Sequence, residues 1–112
     1  MEKLIQKLRE FARERDWDQF HSPKNLAIAL TVETAELLEE FQWLTEEQSR
    51  HPDQERLKRI KDEISDVMIY LVLLSDHLDI DPLKSAFEKI EKNRQKYPAD
   101  KVRGSAKKYT EL

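Results

Sequence analysis

Apolar residues recur every three or four positions along most of the chain, as they do on one face of an amphipathic helix. Proline and capping residues divide this pattern into four predicted helices, at about 2–15, 23–44, 55–78 and 82–97. With one Gly in 112 residues, a β-rich barrel or sandwich is disfavoured. The sequence therefore predicts an all-α fold, a four-helix protomer and a single domain over 1–112, with an extended tail at 99–112.

Two pairs of residues mark where predicted helices begin. Ser22 precedes Pro23, and Asp81 precedes Pro82. The first member of each pair is a strong N-cap, and proline fits the first helical position because the N–H that it lacks would be unsatisfied there. A polar loop at 45–54, with a short turn at its start, separates the second predicted helix from the third.

The third predicted helix contains an eight-residue run, 67–74, that is apolar on every side. Such a helix is typically buried all round, and three other helices in a chain of this length barely suffice to surround it. Packing against a second copy of the chain favours a homo-oligomer. The alternative is the central helix of a monomeric bundle. The run is far shorter than the ~20 residues that cross a bilayer, so we expect no membrane association.

Charge and composition exclude several classes of protein. The chain has 20 Lys and Arg against 23 Asp and Glu, a net charge of −3 with the signs interspersed, which argues against binding to a nucleic acid polymer. The lack of Cys excludes a disulfide framework, a thiolate zinc site and a cysteine nucleophile. The N-terminus is charged and amphipathic and has no signal-peptide core. We expect a cytoplasmic protein.

Acidic residues lie along the apolar stripes of two predicted helices rather than opposite them. At about 100° per residue, Glu33, Glu36 and Glu40 of the second helix fall within about 60° of one another, among its leucines. Glu63 and Asp66 repeat this arrangement on the third helix. An ordinary surface helix places its acids on the face that points away from the core.

Two acid pairs that face one core need a compensating cation, because an unpaired buried carboxylate is very costly. Carboxylates without nitrogen or sulfur ligands favour Mg²⁺, or Mn²⁺ as a substitute, over zinc. Salt bridges to Lys or Arg are the alternative. The histidines, His21, His51 and His77, show no chelating spacing. We expect them at the surface or in caps rather than as metal ligands.

Two further sets of side chains have both a structural and a functional interpretation. On the fourth predicted helix, Lys89, Asn93 and Lys96 follow i, i+4, i+7 spacing. Their stripe can receive a triphosphate, or it can be a solvated face paired with nearby acids. Three aromatic side chains can stack on a nucleobase or fill the core: Trp17, Trp43 and Tyr70.

The acid pairs, Glu33-Thr-Ala-Glu36 followed by Glu63-Ile-Ser-Asp66, resemble the MazG-like, all-α nucleoside triphosphate pyrophosphohydrolases, above all their dCTP pyrophosphatase branch. The resemblance runs from about residue 11 to the end of the chain. Its other motifs are Glu14-Arg15-Asp16-Trp17, Phe20-His21, Asn25-Leu26, Ser65-Asp66-Val67, Tyr70-Leu71-Val72, Asn93-Arg94, Tyr97-Pro98 and Lys108-Tyr109-Thr110-Glu111-Leu112. Together these motifs are specific, whereas the acids alone are not.

The resemblance implies a Mg²⁺-dependent enzyme that splits a nucleoside triphosphate, dCTP or a modified deoxynucleotide, into monophosphate and pyrophosphate and so cleanses the nucleotide pool. It implies a homotetramer built as a dimer of dimers, or at least a dimer, with shared active sites. The implied metal ligands and catalytic acids are Glu33, Glu36, Glu63 and Asp66. The implied base contacts are Trp17, Trp43 and Tyr70. The implied phosphate contacts are Lys89 and Asn93, with Lys96 beside them. Lys89 is also expected to stabilise phosphate charge during catalysis.

One position departs from the pattern of the vertebrate dCTP enzymes. Leu8 stands where they carry a His that approaches the base, so base selectivity is expected to be looser. Asn25 or the Lys108-Tyr109 pair is the candidate replacement for the lost hydrogen bond. Two alternatives stay open: an all-α enzyme specific for dUTP or another pyrimidine, and a non-catalytic helical-bundle module that binds a partner helix.

Overall fold

The computed structural model describes residues 1–104, so the motif at 108–112 lies outside the described residues. Within them the chain is all-α, as predicted, and forms no strand. Its helices are α1 (Glu2–Glu14), α2 (Pro23–Glu39), α3 (Glu46–Arg50), α4 (Gln54–His77), α5 (Pro82–Lys96) and α6 (Ala99–Val102), with a 3₁₀ turn at Asp18–Phe20 between α1 and α2. The four long helices are the predicted ones. The predicted count of four omits two short helices, and the tail expected to be extended begins with the single turn α6.

Side-chain caps begin the helices where the sequence predicts them. The Ser22 hydroxyl accepts a hydrogen bond from the N–H of Asn25 at 3.1 Å, and the Asp81 carboxylate accepts from the N–H of Lys84 at 3.1 Å. The short α3 begins with a capping box, in which Thr45 and Gln48 each satisfy the other's backbone N–H. Each cap satisfies one of the backbone donors that a helix leaves unpaired in its first turn.

α2 ends at Glu39, earlier than predicted. The N–H of Phe41 bonds to the carbonyl of Leu38 in an i→i+3 turn, which tightens and ends the helix. The guanidinium of Arg56, on α4, donates to the carbonyl of Glu40. A side chain from another helix thus satisfies a backbone group at the helix end, and local sequence does not reveal that contact.

The chain divides into two compact units, Met1–Ile80 and the part that begins at Asp81. The single domain over 1–112 therefore stays a prediction. In the first unit α2 packs along α4, and α1 also contacts α4. The buried apolar side chains of this unit are Ala12, Leu26, Ile60, Val72 and Leu73. Burial of each large one contributes roughly 1.5–3 kcal/mol to the free energy of folding.

A bidentate ion pair between Arg9 and Asp76 also joins α1 to α4. Arg9 Nε donates to a carboxylate oxygen of Asp76 at 2.8 Å, and a second guanidinium nitrogen donates to the other oxygen. The hydrogen bond from Arg9 holds the pKa of Asp76 below its usual range. This ion pair is one of the contacts that link α1 to α4.

The apolar run 67–74 is buried on one side rather than all round. Val72 and Leu73 are in the core, whereas Met68 and Leu71 are 46% and 44% exposed. The fold of the described residues thus covers only part of this run, and self-association stays a prediction. Among residues 1–104, no helix has the length and the apolar character to span a bilayer.

Candidate metal centre and adjoining cavity

Three carboxylates converge where α2 packs on α4. Glu33 and Glu36 lie one turn apart on α2, and Glu63 faces them from α4. One carboxylate oxygen from each residue lies within 4.8 Å of an oxygen from each of the others, and all three side chains are half-buried. The i, i+3 spacing puts both α2 acids on the side of the helix that meets α4. Packing of two helices thus brings three acids to one point.

The crowding of these acids raises the pKa of Glu33 and of Glu63. Burial, together with a hydrogen bond and the charge of Glu36, raises the pKa of Glu33 from 4.5 to about 7, and the charges of Asp66 and Glu63 add to the rise. Burial and the charge of Glu36 likewise raise the pKa of Glu63. A group of like charges held this way favours binding of a proton or a cation.

The donor atoms of this cluster fit a divalent cation. One oxygen of Glu33 and one of Glu63 are buried without a hydrogen-bond partner. Within residues 1–80, Glu33, Glu36 and Glu63 form no ion pair with a Lys, Arg or His. Buried polar atoms normally have a partner, and hard carboxylate oxygens are what Mg²⁺ and Mn²⁺ prefer.

Glu40 illustrates the alternative to a cation site, which is neutralisation of an acid by salt bridges. Its carboxylate accepts hydrogen bonds from Arg59 at 3.1 Å and lies 3.4 Å from the guanidinium of Arg56. The salt-bridge interpretation therefore holds for Glu40, which shares the apolar stripe of Glu33 and Glu36 but is neutralised by arginines. The two cases differ in whether a basic side chain of α4 lies opposite the acid.

Asp66 lies beside the cluster rather than inside it. It is close enough for its charge to raise the pKa of Glu33 and of Glu63, yet it does not belong to the group of oxygens within 4.8 Å. It lines a neighbouring cavity instead. The sequence predicted four acids around one centre, and the structure brings three together with the fourth at the border of the cavity.

The cavity lies against α1 and α4 and has a volume of about 370 Å³. Trp17 and Tyr70, two of the three aromatic residues predicted to contact a base, line it together with Asp66. Leu8 also lines the cavity. It stands where the vertebrate dCTP enzymes carry a His, and its side chain forms no hydrogen bond. The cavity walls are mainly apolar, which is typical of a ligand pocket with a few polar groups.

Trp17 reaches the cavity because of a sharp turn at the end of α1. Asp16 has a left-handed φ of 54°, and the N–H of Trp17 bonds to the carbonyl of Ala12 at 2.9 Å, which is the pattern of a Schellman cap. The turn brings the Trp17 ring edge-on to Phe11, with ring centroids 5.5 Å apart. The guanidinium of Arg15 lies 3.7 Å from the centroid of the Phe11 ring. These contacts hold Trp17 in the cavity wall.

Two of the substrate contacts predicted in the first unit lie outside the cavity lining. Trp43 follows the early end of α2 and is 87% exposed. The side-chain amide of Asn25 donates to the carbonyl of Phe20 at 3.0 Å, so this amide has a structural partner in the connector before α2. Contact of Trp43 or Asn25 with a substrate stays a prediction.

The predicted phosphate contacts lie on α5, in the second unit. Lys89 and Asn93 are exposed and one turn apart, and Lys96 lies at the C-terminal end of the helix. Their spacing along α5 is as predicted. Their contact with phosphates stays a prediction that the resemblance supports.

Sequence reasoning missed two polar residues that line the cavity, Lys7 and His21. Lys7 precedes Leu8 on α1, and its place on the polar side of the helical pattern gave no signal. His21 is the last residue of the connector that begins with Trp17. Its closeness in sequence to Trp17 was the one indication that it could line the same cavity. We had expected His21 in a surface or capping role.

The chain is similar to several known proteins. Residues 28–112 match the MazG-like family. The chain is 46% identical over 106 residues to dCTP pyrophosphatase 1 of Mus musculus and 45% identical over 105 residues to the Homo sapiens protein of that name. Each alignment covers 92% of this chain and 62% of the relative, so the chain spans about three fifths of the length of these curated relatives.

A solved structure is also similar. A pyrophosphatase from Archaeoglobus fulgidus DSM 4304 is 43% identical in sequence and superposes with a TM-score of 0.83. The match covers 88% of this chain and 92% of that one.

Proposed function

The chain belongs to the MazG-like family, as the motifs indicated, and on that premise we propose that it is a divalent-metal-dependent nucleoside triphosphate pyrophosphohydrolase. The reaction joins a water oxygen to the α-phosphorus, breaks the bond from that phosphorus to the bridging oxygen, and releases a monophosphate and pyrophosphate. The names of the relatives make dCTP the first substrate to test. The convergence of Glu33, Glu36 and Glu63, with two buried oxygens lacking partners, carries the proposal.

Each acid has a defined part in this proposal. Glu33, Glu36 and Glu63 hold the cation, with Asp66 available from the cavity side. When bound, Mg²⁺ or Mn²⁺ neutralises charge on the phosphate oxygens and polarises the phosphorus under attack. Because the pKa of Glu33 is about 7, its carboxyl carries a proton part of the time at neutral pH and releases it when a cation binds.

The cavity supplies the surface for the base. Trp17 and Tyr70 offer aromatic area for stacking, and Leu8 contributes an apolar wall. Selection by shape and stacking distinguishes bases less sharply than buried hydrogen bonds do, at roughly 1–3 kcal/mol per missing methylene-sized contact. We therefore propose cleansing of the deoxynucleotide pool, with dCTP preferred but not exclusive. Lys89 and Asn93 are the proposed phosphate contacts.

The proposed assembly is a homotetramer or, at least, a dimer. On α4, Ile64, Met68 and Leu71 recur at i, i+4, i+7 and are 52%, 46% and 44% exposed. A continuous apolar stripe on an exposed helix face is typical of an interaction surface. A second copy of the chain is the proposed occupant, because a two-fold contact lets the stripe bury itself.

Incubation of the purified protein with a panel of nucleotides tests the activity. We expect dCTP and other deoxynucleoside triphosphates to yield monophosphate and pyrophosphate with Mg²⁺, and nothing with EDTA. Glu36→Gln should abolish turnover, whereas Glu39→Gln, an exposed acid of the same helix, should not. Hydrolysis of dUTP alone would favour the pyrimidine-specific alternative. An inactive protein with every nucleotide would favour the non-catalytic helical module.

A further inference from the structure

A second group of potential metal ligands lies away from the carboxylate cluster. A carboxylate oxygen of Asp18 and one ring nitrogen each of His21 and His77 lie within 4.8 Å of one another. Asp18 begins the 3₁₀ turn, His21 follows that turn, and His77 is the last residue of α4. The fold thus brings His77, which is 56 positions further along the chain than His21, to an imidazole and a carboxylate that lie three residues apart at the 3₁₀ turn.

The histidines are not arranged like ordinary surface side chains. Their rings meet edge to face, with centroids 6.1 Å apart. His21 Nδ1 is buried and has no hydrogen-bond partner, although a buried ring nitrogen normally has one. His51, by contrast, lies 3.4 Å from a carboxylate oxygen of Glu47, one turn away on α3. A metal ion that accepts the lone pairs of the ring nitrogens would explain why the two rings converge without hydrogen-bonding to each other.

We propose that Asp18, His21 and His77 form a binding site for a transition-metal ion of the Zn²⁺ class. Two imidazoles and a carboxylate suit Zn²⁺ or Co²⁺ and are a poor match for Mg²⁺. With metal–ligand bonds of about 2.0–2.2 Å, donor atoms in a tetrahedral site lie about 3.4 Å apart. The donors must therefore close by about 1.4 Å at most, and rotation of the exposed Asp18 and His77 side chains accomplishes that.

An ion at this site would join two elements that form the cavity wall. His21 lines the cavity, and the 3₁₀ turn connects it to Trp17, which also lines it. His77 supplies the ligand on the opposite side, from the end of α4. Binding would therefore restrict the movement of the connector that carries Trp17 relative to α4.

Titration of the metal-free protein with Zn²⁺ and Co²⁺ tests the proposal. The measurement uses the Glu36→Gln background, because the carboxylate cluster can also bind these ions. Isothermal calorimetry should detect a site that excess Mg²⁺ does not displace, and Co²⁺ should show the visible absorption of a nitrogen-ligated, low-coordinate ion. His77→Gln and Asp18→Asn should each weaken binding about tenfold or more. His51→Gln should leave binding unchanged.

The outcome does not depend on the proposed enzymatic activity, because the readout is ion binding in a variant expected to be inactive. Circular dichroism of each variant verifies its fold, and exposure of His77 makes a folding defect there unexpected. Zn²⁺ affinity that is equal in His77→Gln, Asp18→Asn and the parent protein would overturn the proposal. The same conclusion would follow if His51→Gln lost binding as strongly as His77→Gln.

Discussion

Neutralising one acid of the carboxylate cluster should stabilise the metal-free protein, by an amount that grows as the pH rises from about 4.5 to 7. The pKa of Glu33 is raised from 4.5 to about 7 in the folded chain, so the folded state binds this proton more tightly than the unfolded state. The stability that it contributes is complete below about pH 4.5 and is lost as the pH rises through 7. In Glu33→Gln there is no such ionisation.

The size of the effect follows from the pKa. One pKa unit corresponds to about 1.4 kcal/mol, so the rise from 4.5 to about 7 sets a ceiling of about 3.5 kcal/mol for Glu33. Because its side chain is only half-buried, solvent screening reduces the expected effect to about 1–2 kcal/mol. We therefore expect Glu33→Gln to exceed the wild type in free energy of unfolding by this amount at pH 7.5, and to match it near pH 4.

Urea unfolding in EDTA at the two pH values, at one protein concentration, measures the difference. Glu39→Gln removes an exposed acid from the same helix and should behave like the wild type at both pH values. If Glu33→Gln is no more stable than Glu39→Gln at pH 7.5, the crowding of the acids is not a source of strain in the folded protein. Saturating Mg²⁺ should remove the advantage of Glu33→Gln.

Four further predictions follow from named contacts. Millimolar Mg²⁺ at about 100 times its Kd should stabilise the wild type by about 2.7 kcal/mol, and an unchanged melting curve in EDTA and Mg²⁺ would contradict the cation site. Leu8→His should raise kcat/KM for dCTP relative to dTTP and dATP, because it restores a hydrogen-bonding group to the cavity wall; an unchanged ranking would count against the base assignment. Met68→Lys should dissociate the proposed oligomer into smaller species, as measured by light scattering, because it places a charge in the proposed interface. A wild-type protein that scatters as a 13.4 kDa monomer would rule that interface out. Asp79 follows the end of α4 with a left-handed φ of 56°, and the N–H of Ile80 bonds to the carbonyl of Ser75 at 2.8 Å, which is a Schellman cap. Asp79→Ala should therefore cost about 1 kcal/mol in urea unfolding, whereas Asp79→Gly should cost nothing or stabilise. Equal effects of Ala and Gly would contradict this cap.

Much of the fold could be predicted because its signals are local. Ser22 and Asp81 cap the helices that they were expected to cap, since an N-cap interacts with a backbone N–H only three residues away. The acid pairs also followed from local geometry, because i, i+3 spacing fixes which side of a helix two residues share. The end of α2 could not be predicted, since the contact of Arg56 with the Glu40 carbonyl is tertiary.

The parts of the site that sequence reasoning missed depend on packing across the fold. Glu40 and Glu36 look equivalent along the predicted second helix, and the positions of Arg56 and Arg59 on α4 separate them. The segment containing Leu73 suggested an interface, yet Leu73 itself is in the core of the first unit. His21 and His77 show no chelating spacing in sequence, and they meet because the connector after α1 passes the end of α4.

Binding of Mn²⁺ to the purified, metal-free protein, followed by electron paramagnetic resonance, tests the central claim most directly. The three-carboxylate site predicts tight Mn²⁺ binding to the wild type that Mg²⁺ displaces. Glu36→Gln should weaken this binding by about tenfold or more, while Glu39→Gln should retain it. Equal Mn²⁺ affinity in all three proteins, or no binding to the wild type, would contradict the assignment of Glu33, Glu36 and Glu63 as the cation site.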